Sequence, residues 1–207
     1  MNTTAAPRLE SAIRSTLMPL LREDGFAGSG RTFRRTREGW LQVVNVQGSR
    51  YGGRFAINLA IHPTAIPDFR GNSPDPKKIT AELCEFRYRL SETMSDQWWT
   101  HEATSESMVS AMEAAAKVYR NVGRPILERV SGPAAPLMIV TPTEFRSGAY
   151  DFAGFGTTKV RMALALSLMR KAEGRFEESK AFAAYGIENI GSASFLRHEL
   201  QALAGEQ

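Results

Sequence analysis

The chain has 207 residues, 43% hydrophobic and 23% charged, the balance of an ordinary globular protein long enough to bury one large core. No run approaches the ~18 apolar residues of a membrane span, and MNTTAAPRLESAIRSTL has no basic stretch followed by an apolar one, so no span or secretory leader is expected. One cysteine, Cys84, excludes an internal disulfide framework and fits a cytoplasmic location. The net charge of +4 (20 Arg and 6 Lys against 22 acids) is too small and too spread to mark a dedicated nucleic-acid protein.

Residues 8 to 23 place Leu9, Ile13, Leu17, Leu20 and Leu21 on one helical face. Pro19 is expected to remove the backbone bond to Ser15 and bend the last turn, and Gly25 to cap the helix in the left-handed conformation. RTFRRTR (31–37) and WLQVVNVQ (40–47) read as strands joined by a two-residue turn at Glu38-Gly39. GSRYGG then returns the chain into a third strand, RFAINLAIH (54–62). Centring that loop pairs Val46 with Phe55, Val44 with Ile57 and Gln42 with Leu59 on a core face. Asn45, Gln47, Arg54 and Asn58 fall on the other face, with Thr32 and Arg34.

A Pro-rich excursion precedes LCEFRYRL (83–90), where Cys84, Phe86, Tyr88 and Leu90 alternate with Glu85, Arg87 and Arg89 as in a half-buried strand. Trp98 and Trp99 are adjacent and cannot share a face, so one is expected to close the core while the other lies on the surface or in a groove. A helix is expected from Ser105 to Val122, capped by Thr104 and ended by Gly123, with Pro125 opening a short further turn. Residues 131–156 are Pro- and Gly-rich and read as a crossing segment. TTKVRMALALSLMRKA, RFEESKAFAAYGIENI and a last stretch carrying Leu196, Leu200 and Leu203 read as helices. The expected organisation is α+β. A core domain over 1–130 packs a small antiparallel sheet of about four strands against helices. The 131–156 crossing leads to a helical hairpin or three-helix cap over 157–207, packed on the core.

DGF after the first helix, RTFRR, VVNVQGSR, RFAINLAIHP, CEFRYRL and DQWW occur in an order that resembles an uncharacterised bacterial family of the DUF4304 type. The elements that carry the resemblance are Phe-x-Arg, Asn-x-Gln, Phe-x-x-Asn-Leu, Arg-x-Arg and Asp-x-Trp-Trp, across roughly residues 10 to 130. The resemblance implies an α+β fold and a cytoplasmic protein, and brings no activity with it.

The residues themselves argue against recognisable catalysis. Cys84 sits on the apolar side of its strand, and no G-x-S-x-G elbow exists. His62, His101 and His198 lie on three different elements without metal-ligand spacing, so no metal or cofactor is expected. The polar sheet face offers amides and guanidinium groups but no acid or base, which suits holding a ligand better than moving a proton. The expectation is a non-catalytic binding module for a protein partner or a small anionic ligand. Its candidate binding residues are Asn45, Gln47, Arg54, Asn58, Arg34, Arg87, Arg89, Trp98 and Trp99, of which Asn45, Gln47, Arg54 and Asn58 are expected to line a cleft against the 131–156 segment. The alternatives are an enzyme with a dispersed site around Glu82, Glu85, Asp96 and His101, or a weak nucleic-acid binder using Arg31, Arg34, Arg35, Arg37, Arg50 and Arg54.

Overall fold

Two prolines shape two helical segments in the same way. A computed structural model describes residues 8–93 and 95–205. The first segment is α1 (Leu9–Ala12), a π-helical turn (Ile13–Leu17) and α2 (Met18–Glu23). The second is α3 (Ser105–Val118), a π-helical turn (Tyr119–Gly123) and α4 (Arg124–Arg129). Pro19 and Pro125 each lack an N–H and would clash with the carbonyl four residues back. Each is preceded by one widened turn, in which Met18 donates to the Ile13 carbonyl and Arg124 to the Tyr119 carbonyl. The helix then resumes. This corrects two expectations: Pro19 does not merely bend a last turn, and Gly123 does not end a helix. Gly123 is helical, at φ −65°. A Cβ there would come 3.0 Å from Tyr119 Cδ2 and 3.2 Å from Leu90 Cδ1, so the glycine permits close packing rather than a stop.

The sheet is antiparallel and six-stranded, ordered β1 (Ala27–Ser29), β2 (Thr32–Arg37), β3 (Trp40–Gly48), β4 (Arg54–Pro63) and β5 (Phe86–Arg89), with β6 (Trp99–Thr100) also on β4. The expected count of about four lacks β1 and β6, which are too short to show a period of two. Glu38 and Gly39, at φ 49° and 80°, make the two-residue turn of the β2–β3 hairpin. The β3–β4 register differs from expectation by two residues. Gly48 pairs with Phe55 and Val46 with Ile57, because the loop closes through Ser49 N–H on the Arg54 carbonyl. A slip of two leaves every side chain on its face.

One face carries the core. Phe33, Val44, Val46, Phe55, Ile57, Leu59 and Ile61 pack in one cluster with Leu9, Ile13, Leu17 and Leu21 of the first segment and Met108 and Met112 of the second. The opposite face is divided. Leu41, Val43 and Ala60 are covered by Ile79, Ala81 and Cys84 in a small separate cluster, so the 63–85 excursion, not the C-terminal helices, shields them. The remainder of that face stays open.

The 131–156 stretch contains α5 (Pro136–Ile139) and α6 (Pro142–Ser147), the latter opened by a Thr141/Glu144 capping box. Then come α7 (Lys159–Ala172), α8 (Phe176–Glu188), a 3-10 turn (Ser194–Leu196) and α9 (Arg197–Ala204). Phe145, Phe155, Leu166 and Phe182 belong to the main core. A fully buried Arg170 on α7 donates to the Leu137 and Val140 carbonyls and so straps α5 to α7.

Candidate functional site

On the open face a single cross-strand row runs through four strands. Thr32 pairs with Asn45, Asn45 with Asn58, and Asn58 with Arg89. Their side chains form a connected network of fixed polarity. A guanidinium only donates, so Arg89 Nη2 at 3.3 Å requires Gln47 to present its Oε1. Asn58 Nδ2 donates to that same oxygen at 3.0 Å and to Asn45 Oδ1 at 3.3 Å. Asn45 Nδ2 in turn donates to Thr32 Oγ1 at 3.0 Å and to the Arg31 carbonyl. The amides therefore satisfy one another and tie neither to the first helix nor to the excursion. Gln47 Nε2 and Asn58 Oδ1 carry no hydrogen bond among the described residues, which leaves one donor and one acceptor for a ligand.

Trp98 stands at the margin of this row. Trp99 pairs with Phe55 and stacks on its ring in the core (5.7 Å between centroids), which turns the preceding Trp98 to the polar face. The Arg54 and Arg89 guanidinium carbons lie 4.9 and 5.0 Å from the Trp98 ring centre, within cation–π range. Asp96 completes the frame, accepting from Trp98 Nε1 at 3.0 Å and lying 3.4 Å from Arg89 Nε. Arg89 is thereby held by an indole, an amide and a carboxylate at once.

Beside Gln47 and Asn58 lies a cavity of about 420 Å3, walled by Ala81, Glu82, Arg87 and Arg89. Its far wall is the 81–82 stretch and not the 131–156 segment, which corrects the expected cleft. The end of that segment instead runs along the outer edge of β5, where Gly156 N–H meets the Arg87 carbonyl. Arg54 is exposed but outside this cavity. Trp99 is core, and the Arg34 guanidinium is spent on the Ile79 and Lys78 carbonyls, so neither joins the polar row.

The groups of the enzyme alternative are not gathered. Glu82 lines the amide cavity, Asp96 frames Trp98, and His101 Nδ1 faces its neighbour's carbonyl. Glu85 is buried and doubly bonded by Arg161, at 2.8 and 3.0 Å. Burial pushes its carboxyl above the usual range, against the pull of that guanidinium. Burial likewise pushes the Cys84 thiol far up, which makes it an inert core group. Sequence reasoning missed the Glu85–Arg161 pair because its members stand 76 positions apart. No three His, Cys, Asp or Glu side chains among the described residues converge on a metal position.

The cations of the nucleic-acid alternative are mostly engaged. Arg31 pairs with Glu10, Arg35 bonds Gln42 and the Asp24 carbonyl, and Arg37 lies near Glu38 and Glu128. No helix of the described residues is long and apolar enough to cross a membrane.

The separated Asn-x-Gln, Asn-Leu, Arg-x-Arg and Asp-x-Trp-Trp elements thus meet in space on one sheet face. Comparison with curated proteins and with solved structures returns no match. Comparison with family models returns the family described as Domain of unknown function (DUF4304), over residues 17–129. That span holds the whole polar row, Trp98, the second proline-shaped segment and α2 of the first, whose residues 9–16 lie outside it. It is more than half of the chain, which therefore belongs to the DUF4304 family.

Proposed function

We propose that this protein is a non-catalytic, cytoplasmic binding module that holds an anionic partner on the polar sheet face. The partner is a carboxylate-rich segment of a protein or a small anion. The observation that carries the reading is the Arg54–Trp98–Arg89 cluster beside the Gln47/Asn58 row. Its guanidinium groups are pre-oriented by an indole and an amide, which lowers the entropy lost when an anion docks. Arg89 pairs with Asp96, and the adjoining cavity sets Arg87 and Arg89 against one carboxylate, Glu82. The lone reduced cysteine suits the location.

The test is a fluorescence titration of the full chain with an Asp/Glu-rich decapeptide, citrate and inorganic phosphate. Trp40 and Trp99 are buried, which leaves Trp98 as the responsive indole. At least one anion is expected to bind, more weakly as salt is raised. Gln47→Ala should weaken it several-fold and Arg89→Gln about tenfold or more, the size of losing a charge-assisted hydrogen bond. Binding by none of the three, or wild-type affinity in both variants, would refute the reading.

A further inference from the structure

The cavity beside Gln47 and Asn58 is lined by charges of both signs. Arg87 and Arg89 reach it from β5, and Glu82 stands on its far wall. Two cations against one carboxylate form a pattern whose complement carries two negative charges and one positive. At about 420 Å3 the space suits a small molecule rather than a bare ion.

Arg89 carries the observation that calls for an anion. Its Nη1 is buried and has no hydrogen-bond partner. A guanidinium nitrogen in that state is a donor without its acceptor. The other two contacts of the group are long, 3.3 Å from Nη2 to Gln47 Oε1 and 3.4 Å from Nε to Asp96 Oδ1. Charge-assisted bonds close to about 2.7–2.9 Å. Arg89 is therefore stationed by Trp98 but not saturated, and a small turn carries Nη1 onto a carboxylate in the cavity. Arg87 is unspent in the same way: its guanidinium lies 5.7 Å from the Phe69 ring centre and forms no ion pair among the described residues.

The acceptors of the cavity ask for the reverse. Glu82 lines the same space as Arg87 without pairing to it. Asn58 gives its amide hydrogens to Gln47 and Asn45, which leaves its Oδ1 without a donor. An ammonium has three donors and no acceptor, so it satisfies a carboxylate that a phosphate or a plain dicarboxylate would only repel.

We propose that this cavity binds an acidic α-amino acid, a dicarboxylate with one ammonium. The assignment rests on the reading of the polar face as an anion site and names the class of anion. The two carboxylates meet Arg87 and Arg89, with Gln47 Nε2 as a further donor, and the ammonium meets Glu82.

The probes are L-glutamate, glutarate, which lacks the ammonium, and 4-aminobutyrate, which lacks one carboxylate. Each is titrated into the full chain and followed by Trp98 fluorescence and by NMR. Glutamate should bind, with shifts at Gln47, Asn58 and Arg89, and both counterparts should be about tenfold weaker, the size of one charge-assisted hydrogen bond. Glu82 is exposed, so Glu82→Gln should keep the fold. That variant should weaken glutamate about tenfold and tighten glutarate, because the ammonium loses its partner while the dicarboxylate loses a like charge. Arg87→Gln should weaken both. The assignment is overturned, with the anion site left standing, if citrate or the acidic peptide binds but glutamate does not. It is equally overturned if glutarate matches glutamate, if Glu82→Gln binds glutamate with wild-type affinity, or if the shifts fall elsewhere. Silence from glutamate, citrate, phosphate and the peptide together removes the anion site as well.

Discussion

Asn58 spends both amide hydrogens on its neighbours, and that decides what the sheet face still has to offer. The obligate donor Arg89 sets the polarity of the whole network, so Gln47 turns its oxygen inward and its Nε2 outward. A comparable single-residue device sits below, at His62. Its Nδ1 accepts the Glu85 N–H and its Nε2 donates to the Ile66 carbonyl, which fixes one neutral tautomer. Burial holds its pKa below the usual 6.5. As pH falls through that ordinary value, the unfolded chain takes a proton that folded His62 refuses, so stability declines toward acid, with a limiting slope of about 1.4 kcal/mol per pH unit. Urea midpoints at pH 7.5 and 5.5 check this. Wild type should lose more stability across that interval than His62→Gln, whatever the variant's starting level, and equal losses would show that His62 does not titrate differently on folding.

The helices show how one element can hide its reason in a single atom. Gly123 looks in sequence like a stop, yet it lies inside a helical run that continues to Arg129. Gly→Ala within a helix ordinarily gains about 1 kcal/mol, but a methyl at 123 meets Tyr119, Leu90 and Leu59 at 3.0–3.4 Å. Overpacking of this sort costs about 1–3 kcal/mol. Gly123→Ala should therefore destabilise by about 1 kcal/mol in chemical denaturation, and a stabilised variant would mean that the neighbours give way. The same limit governs what was legible. Period-two alternation assigns every side chain of β3 and β4 to its face, including Asn45, Gln47 and Asn58, because a face is a local property. The pairing register needed the closure geometry of the Ser49–Gly53 loop, which residue type does not encode. The strands at 27–29 and 99–100 are shorter than any readable period, and the helices at 136–139 and 142–147 are masked by the prolines that start them. Trp98 and Trp99 had to part company, but only the pairing of Trp99 with Phe55 says which goes inward. The Glu85–Arg161 pair depends on helices docking from far along the chain, where no sequence spacing reaches.

At the scale of the molecule, the family boundary and the physical boundary do not coincide. The match ends at residue 129, yet the main cluster runs on through Leu137, Phe145, Phe155, Leu166 and Phe182. The Tyr88 ring on β5 packs tilted against Phe155, with ring centres 5.6 Å apart, and buried Gln42 on β3 donates to the hydroxyl of Ser131. Arg161 on α7 neutralises Glu85, which sits behind β5. Cutting the chain after residue 130 would therefore uncover apolar surface, worth about 1.5–3 kcal/mol for each large side chain that loses its cover. It would also remove the Arg161 guanidinium that holds Glu85. A typical domain has only about 5–15 kcal/mol to lose. A chain of residues 8–130 should accordingly show no cooperative thermal transition and should bind a hydrophobic dye such as ANS, whereas the full chain melts in one step. The single step is expected because the 157–207 helices share the main core with the sheet. A cooperative melt of the 8–130 chain within a few degrees of the full protein would establish that the C-terminal helices are an appendage.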